Sequence, residues 1–184
     1  MTRLSAGTPL ASVPVEIDEL IRTRRTVKAY DPAPVDPATL DELFDLARWA
    51  PNHRLTNPWR FRVVGPRALE ALKAAAGPEN AAKLDRAPTL VAVSAVQGGE
   101  DPVADEEDLL ATATATFIVL LGAHGRGLGG YWRTPGVLRT PEGRAACGIP
   151  DGEKVLGLIH LGRAKGTRPA PDRAPLDQIR SYLP

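Results

Sequence analysis

Three stretches of this sequence hold side chains whose types and spacing could do chemistry. The first is Arg24-Arg25-Thr26-Val27-Lys28, with two guanidinium forks, a hydroxyl and an ammonium within five residues. Such a cluster suits a phosphate together with an electron-rich ring edge. It equally suits a solvated basic turn at a helix C-terminus, where the helix dipole favours cations. The second stretch, residues 50–59, reads Ala-Pro-Asn-His-Arg-Leu-Thr-Asn-Pro-Trp. It stops a helix and places His53, Asn52, Asn57 and Trp59 in a loop leading into a strand. Loops held by rigid elements are where ligands are gripped, the alternative being a polar connection with Trp59 packed in the core. The third, residues 125–134, reads Gly-Arg-Gly-Leu-Gly-Gly-Tyr-Trp-Arg-Thr. Its glycines match G-x-G-x-x-G, but the dinucleotide fingerprint follows a strand and opens a helix. Here a helix precedes it, so these glycines are expected to end that helix and let the backbone lie close against something flat.

Other chemistries find little support. The three histidines show no metal-ligand spacing and the carboxylates near them form no motif, so no metal site is expected. His124 and His160 read as core or helix-end residues. Cys147 is the only cysteine, which rules out an internal disulfide and favours a reducing compartment, hence a cytoplasmic location. Cys147 itself reads as a small buried residue near a helix end.

The elements that must position these stretches follow from periodicity and punctuation. Ile17, Leu20 and Ile21 fall at helical spacing before the basic cluster. Asp36-Pro37 offers an N-cap with proline at the first helical position, and a helix over residues 37–50 shows Leu40, Leu43, Phe44 and Ala47 on one face. From Trp59 the apolar Phe61 and Val63 alternate with Arg60 and Arg62, a strand with one wet face on which both arginines should meet solvent. Leu69, Leu72 and Ala76 make a short helix closed by Gly77-Pro78, and residues 89–96 read as a strand buried on both faces. An acidic loop over 98–107 offers a possible lid, and Asp105 to Asp108 open a long apolar helix that runs to about His124. Residues 131–133 begin a strand, Thr140-Pro141 caps a short helix ending at Gly148, and residues 155–161 form another inward strand. The result is an α+β chain, a small helix-covered sheet without βαβ regularity.

Composition bounds the rest. With 184 residues, 43% of them hydrophobic and 24% charged, one domain over residues 16–184 is expected, preceded by a flexible arm over 1–15 and ending in an extended proline-rich tail. The 23 basic and 22 acidic side chains give a formal charge of +1, no field for nucleic acid or an anionic membrane. Three each of Trp, Tyr and Phe offer little stacking surface for single strands. The apolar run over 109–125 is shorter than the roughly 20 residues a bilayer needs, so it reads as a buried helix at the core of the protein or of a dimer.

In this order and at these separations, the three stretches resemble the nitroreductase superfamily of FMN-dependent oxidoreductases, especially its short-chain branch. The resemblance covers residues 17–168. The run 24–28 looks like the family's opening motif, which implies that Arg24, Arg25, Thr26 and Lys28 contact the FMN phosphate, ribityl chain and pyrimidine edge. Residues 50–59 are similar to its A-P-[SD]-x-x-x-x-Q-P-W loop, implying that His53 and Asn57 reach the FMN of the partner subunit; Asn57 departs from the usual glutamine. Residues 129–134 resemble G-G-x-W-R-[ST], which would set Trp132, Arg133 and Thr134 against the flavin. Residues 155–162 look like the strand ending in the family's L-G turn, beyond which Lys165 and Arg168 are candidate phosphate ligands. The resemblance implies a small mixed sheet covered by helices, with the long helix at a homodimer interface and two shared FMN sites.

What this implies chemically is hydride transfer from NADH or NADPH through flavin N5 to an electrophilic nitroaromatic, quinone or enone, in a ping-pong sequence. The flavin carries the chemistry, so no protein nucleophile is needed. Lys28 would tune it by stabilising negative charge near N1 and C2=O. Two alternatives share the fold: an enzyme that consumes flavin or removes halogen, and an FMN-binding or sensor protein without turnover.

Overall fold

The structure is a computed structural model that describes residues 17–166 and 168–184; the arm expected over 1–15 lies outside the described residues. Among the described residues four strands form the sheet: β1 (Trp59–Val63), β2 (Thr89–Val96), β3 (Leu128–Arg133) and β4 (Glu153–Arg163). Their order across the sheet is β1-β2-β4-β3, and every pairing is antiparallel. The α+β expectation holds, but the sheet is antiparallel rather than mixed, the parallel pairing of Thr26 with Gly130 being an isolated bridge outside its ladders.

Helices cover both faces. On one side lie α2 (Pro37–Ala47) and α5 (Pro102–Gly125). The N-cap Asp36 accepts from the Thr39 amide at 3.3 Å, with Pro37 opening α2, a cap of the kind that offsets the unpaired first-turn N–H groups. The buried face of α2, Leu40, Leu43 and Ala47, joins Val91, Val93 and Ile159 of the sheet and Ala115 and Val119 of α5 in one core cluster. Phe44 stacks on Phe61 with ring centroids 5.1 Å apart. On the other side α3 (Pro66–Ala76) and α6 (Pro141–Ala146) close over Leu90, Ala92 and Leu158. Cys147 is buried at the end of α6, as expected, and burial raises its thiol pKa to about 11.

Several boundaries differ from the sequence reading, each for a local reason. α5 begins at Pro102, where Asp101 caps the Val103 amide at 3.0 Å, so residues 102–107 of the expected acidic loop are helical. Asp105 accepts instead from the amides of Gly98 and Gly99. At 24 residues α5 has the length and hydropathy of a membrane span, yet one face packs in the core. Its buried Thr112 and Thr116 hydroxyls donate to the carbonyls of Asp108 and Thr112, which satisfies them within the helix. The opposite face leaves Val103, Leu110 and Phe117 exposed at seven-residue spacing. After Gly77, whose φ of 72° is readily adopted by glycine, Pro78 starts a further turn of helix, α4 (Pro78–Ala81).

Arg60 is exposed, as expected, but Arg62 is not solvent-facing. Its guanidinium donates to both carboxylate oxygens of buried Glu153 at 2.8 Å and to the Ser94 hydroxyl at 2.8 Å. Alternation shows which residues share a strand face. It does not show that β4, two strands away and distant in sequence, carries a carboxylate over that face.

Candidate functional site

The basic run lies along the edge of the sheet. The first helix, α1 (Ile17–Thr23), ends just before it. Beyond Thr26, the Val27 amide donates to the Gly130 carbonyl at 3.1 Å, Asp31 N donates to Arg163 O, and Lys165 N donates to Ala29 O. The segment is thus sewn onto β3 and the end of β4. Gly129 and Gly130 permit this: a Cβ on Gly129 would stand 2.9 Å from Val27 and one on Gly130 2.6 Å from Leu120. The glycines do end the long helix, at Gly127 with φ 72°, and the surfaces approached so closely are Val27 and α5.

A cavity of about 400 Å³ opens where α1, the end of α5, β3 and the C-terminal tail meet, and Arg24, Arg25, His124 and Arg168 line it. Burial first, then the charges of Arg25 and Arg173, pull the Arg24 pKa down. The cluster therefore opposes its own charge in the absence of an anion. Arg25 spends Nη1 on the carbonyls of Arg22 and Arg24 at 2.6 and 2.8 Å, while its buried Nε has no partner among the described residues. A phosphate fits this set: it would supply an acceptor for the orphaned N–H and offset the mutual repulsion. Thr26 and Lys28 are exposed on the adjoining run, and the Lys28 ammonium lies 5.4 Å from the Tyr131 ring centroid, a cation–π contact.

The other anticipated residues lie apart from this cavity. His53 and Asn57 occupy an exposed loop tied to α5: His53 Nδ1 is 2.7 Å from Glu107, and Asn52 and Thr56 both donate to Asp108. Arg54, Leu55 and Asn57 all take left-handed φ, between 49° and 58°, strain that a structure tolerates where it over-determines the conformation. Trp132 donates its indole N–H to the Leu156 carbonyl at 3.2 Å, and Thr134 is exposed just beyond β3. Arg133 faces a second cavity of about 400 Å³ with Asn80, Gly136 and Thr140, its buried Nη1 without a partner among the described residues. His160 is fully buried, with neither ring nitrogen partnered among the described residues. Burial, then the charges of Arg133 and Arg86, lower its pKa to about 4, so it is neutral at pH 7.

Comparison with known families decides the class: the nitroreductase family model matches residues 21–83 and 67–163. The chain belongs to the nitroreductase family. YfhC of Bacillus subtilis, provisionally named an NAD(P)H nitroreductase, is 28% identical over 173 residues, covering 85% of each chain. YdjA of Escherichia coli, with the same provisional name, is 27% identical over 160 residues, covering 79% of this chain and 86% of that protein. Among solved structures, a nitroreductase-like family protein from Bacillus cereus superposes with a TM-score of 0.83 at 23% identity, over 95% of this chain and 99% of that one. The FMN- and NADPH-dependent nitroreductase NfnB from Sphigopyxis sp. strain HMH does so with a TM-score of 0.76 at 18% identity, over 92% and 100%. These two share the fold. Membership makes this nitroreductase an oxidoreductase of the NAD(P)H-dependent kind to which its relatives are assigned.

Sequence reasoning missed two residues that shape the site. Gly157, at φ 148°, lies where β2 and β4 slip register; a Cβ there would stand 2.4 Å from the Arg133 carbonyl and 2.8 Å from the Trp132 indole nitrogen. A glycine inside an otherwise apolar strand was the available signal. His124, read as a helix-end residue, is that, and it also lines the basic cavity.

Proposed function

We propose that this nitroreductase holds FMN as a homodimer in the cytoplasm, takes hydride from NADH or NADPH, and passes it to an electrophilic organic acceptor such as a nitroaromatic, quinone or enone. The observation that carries the reading is the basic cavity at the sheet edge, with its self-repelling arginines and an Arg25 Nε that finds no partner among the described residues. Arg24, Arg25 and Arg168 hold the phosphate there, and Thr26 reaches the ribityl hydroxyls. Bound FMN supplies a ring that accepts hydride and returns it. Lys28, steadied over Tyr131, sets positive charge at the pyrimidine edge, and Trp132, Arg133 and Thr134 border the ring. His53 and Asn57 complete the partner subunit's site, which accounts for their place on an exposed loop away from their own chain's cavity. With donor and acceptor occupying the same site in turn, the kinetics would be ping-pong.

The dimer has its own support. Val103, Leu110 and Phe117 on α5, with Leu46 on α2 and Trp49 just beyond it, leave large apolar side chains in water, and an exposed apolar patch marks an interaction surface. The deciding experiment is an anaerobic absorbance titration of the FMN-reconstituted protein with NADH and NADPH. Bleaching of the oxidised flavin by either donor supports the reading; a protein that takes up no yellow flavin, or that binds flavin and resists both donors, overturns it.

A further inference from the structure

We propose that His124 is a proton-dependent ligand of the phosphate in the Arg24–Arg25 cavity, so that anion binding takes up a proton and tightens as pH falls. The inference rests on the reading of that cavity as the FMN phosphate site and adds a residue outside the three motifs.

The hydrogen bonds of Thr23 assign the basic imidazole nitrogen. The Thr23 hydroxyl donates to the Glu19 carbonyl at 2.7 Å and lies 2.9 Å from His124 Nε2. With its own hydrogen committed, the hydroxyl oxygen accepts, and the neutral ring carries its proton on Nε2. Nδ1 is left to gain a proton. Thr23 thereby holds the ring at the cavity wall, in the last turn of α5, where the helix dipole favours a cation.

The charges around the ring are lopsided. From the segment after α1 come Arg24 and Arg25, and from the tail comes Arg168, with Arg173 acting on Arg24. β3 contributes Leu128, Gly129 and Gly130, which carry no charge, α1 bears Asp18, Glu19 and Arg22 outside the lining, and among the described residues no carboxylate lines the cavity. Arg126, beyond the end of α5, is ion-paired with Glu42 at 3.0 Å. Burial, then Arg24 and Arg25, hold the imidazole below the ordinary histidine value. A bound phosphate dianion reverses that field and provides an acceptor, so protonation at Nδ1 becomes favourable.

The sign follows by linkage. Below the free-state pKa the ring is charged with or without the anion, and above the bound-state pKa it is neutral in both. Between the two, binding takes up one proton and affinity falls as pH rises. The second ionisation of a phosphate monoester, near pH ~6, acts in the opposite direction, so the effect of His124 is isolated by comparing wild type with His124→Gln.

FMN affinity would be measured by flavin fluorescence quenching for both proteins across about pH 5 to 8. The wild-type advantage is expected to shrink by about tenfold from the bottom to the top of that range, one pKa unit being a factor of ten. In parallel, the His124 imidazole pKa would be followed by NMR in the wild-type chain with and without inorganic phosphate, and phosphate should raise it. A constant affinity ratio in proteins that both bind FMN, or an imidazole pKa that phosphate leaves unmoved, overturns the inference while leaving the flavin reading intact. If neither protein takes up FMN, the flavin reading fails, and the phosphate titration of His124 still decides. The same titration decides if His124→Gln does not fold.

Discussion

Arg62→Ala removes one side of an ion pair that ties the start of β4 to β1 across β2. The Glu153 carboxylate receives Arg62 Nη1 and Nη2 at 2.8 Å and the Ser94 hydroxyl at 2.5 Å, with side-chain exposures of 26% for Arg62 and 7% for Glu153. Truncation leaves that carboxylate buried with Ser94 alone. Removing one partner of a buried pair costs about 3–5 kcal/mol, and the quarter-exposed arginine places this case near the lower end, at about 3 kcal/mol. For a chain of this size that lowers Tm by roughly 6–12 °C. The acid limb gives a second readout. Burial alone would raise the Glu153 pKa, but hydrogen bonds from Arg62 and Ser94 and the charges of Arg62 and Arg60 outweigh it, so the net shift is downward. A carboxylate depressed on folding contributes stability that is fully present above its ordinary value of 4.5 and is lost as pH falls through its lower folded value. Arg62→Ala should therefore lose most near neutral pH and least in acid. The assay is urea unfolding at pH 7 and near pH 3, in a cycle with Glu153→Gln and the double variant. A cost under about 1 kcal/mol at pH 7, with no coupling between the two positions, would refute the reasoning.

Three further outcomes are expected. Gly157→Ala forces a methyl against the Arg133 carbonyl and Trp132 at a positive φ, which should destabilise by about 2–4 kcal/mol and weaken FMN binding; an unchanged melting curve would show the strand yields freely. Lys28→Ala should lower the FMN midpoint potential in spectroelectrochemical titration, and an unchanged potential removes the charge-stabilising role. Leu110→Glu with Phe117→Glu places carboxylates on the exposed stripe of α5 and should shift sedimentation from dimer to monomer; a wild-type profile would move the interface elsewhere.

The chemistry-bearing residues were legible because their signals are local. Two arginines, a threonine and a lysine within five residues state a charge density, Asp36-Pro37 states a helix start, and Pro51 a helix stop, before any tertiary contact forms. The order of elements and the glycine break after the long helix were local in the same way, and they gave the α+β class and the resemblance to the nitroreductases. Tertiary structure decided which of these residues meet. It turned Arg62 from solvent to Glu153, because the sheet sets β4 two strands from β1 and so brings together side chains 91 positions apart, a separation that period-two alternation does not encode. It brought His124 beside Arg24 and Arg25 through the crossing of α1 and the end of α5, and held His53 and Asn57 away from that cavity on a loop fastened to Glu107 and Asp108. Side-chain type and spacing fix what a segment can do; which cavity it faces depends on contacts between segments distant in sequence, and those exist only once the sheet has formed.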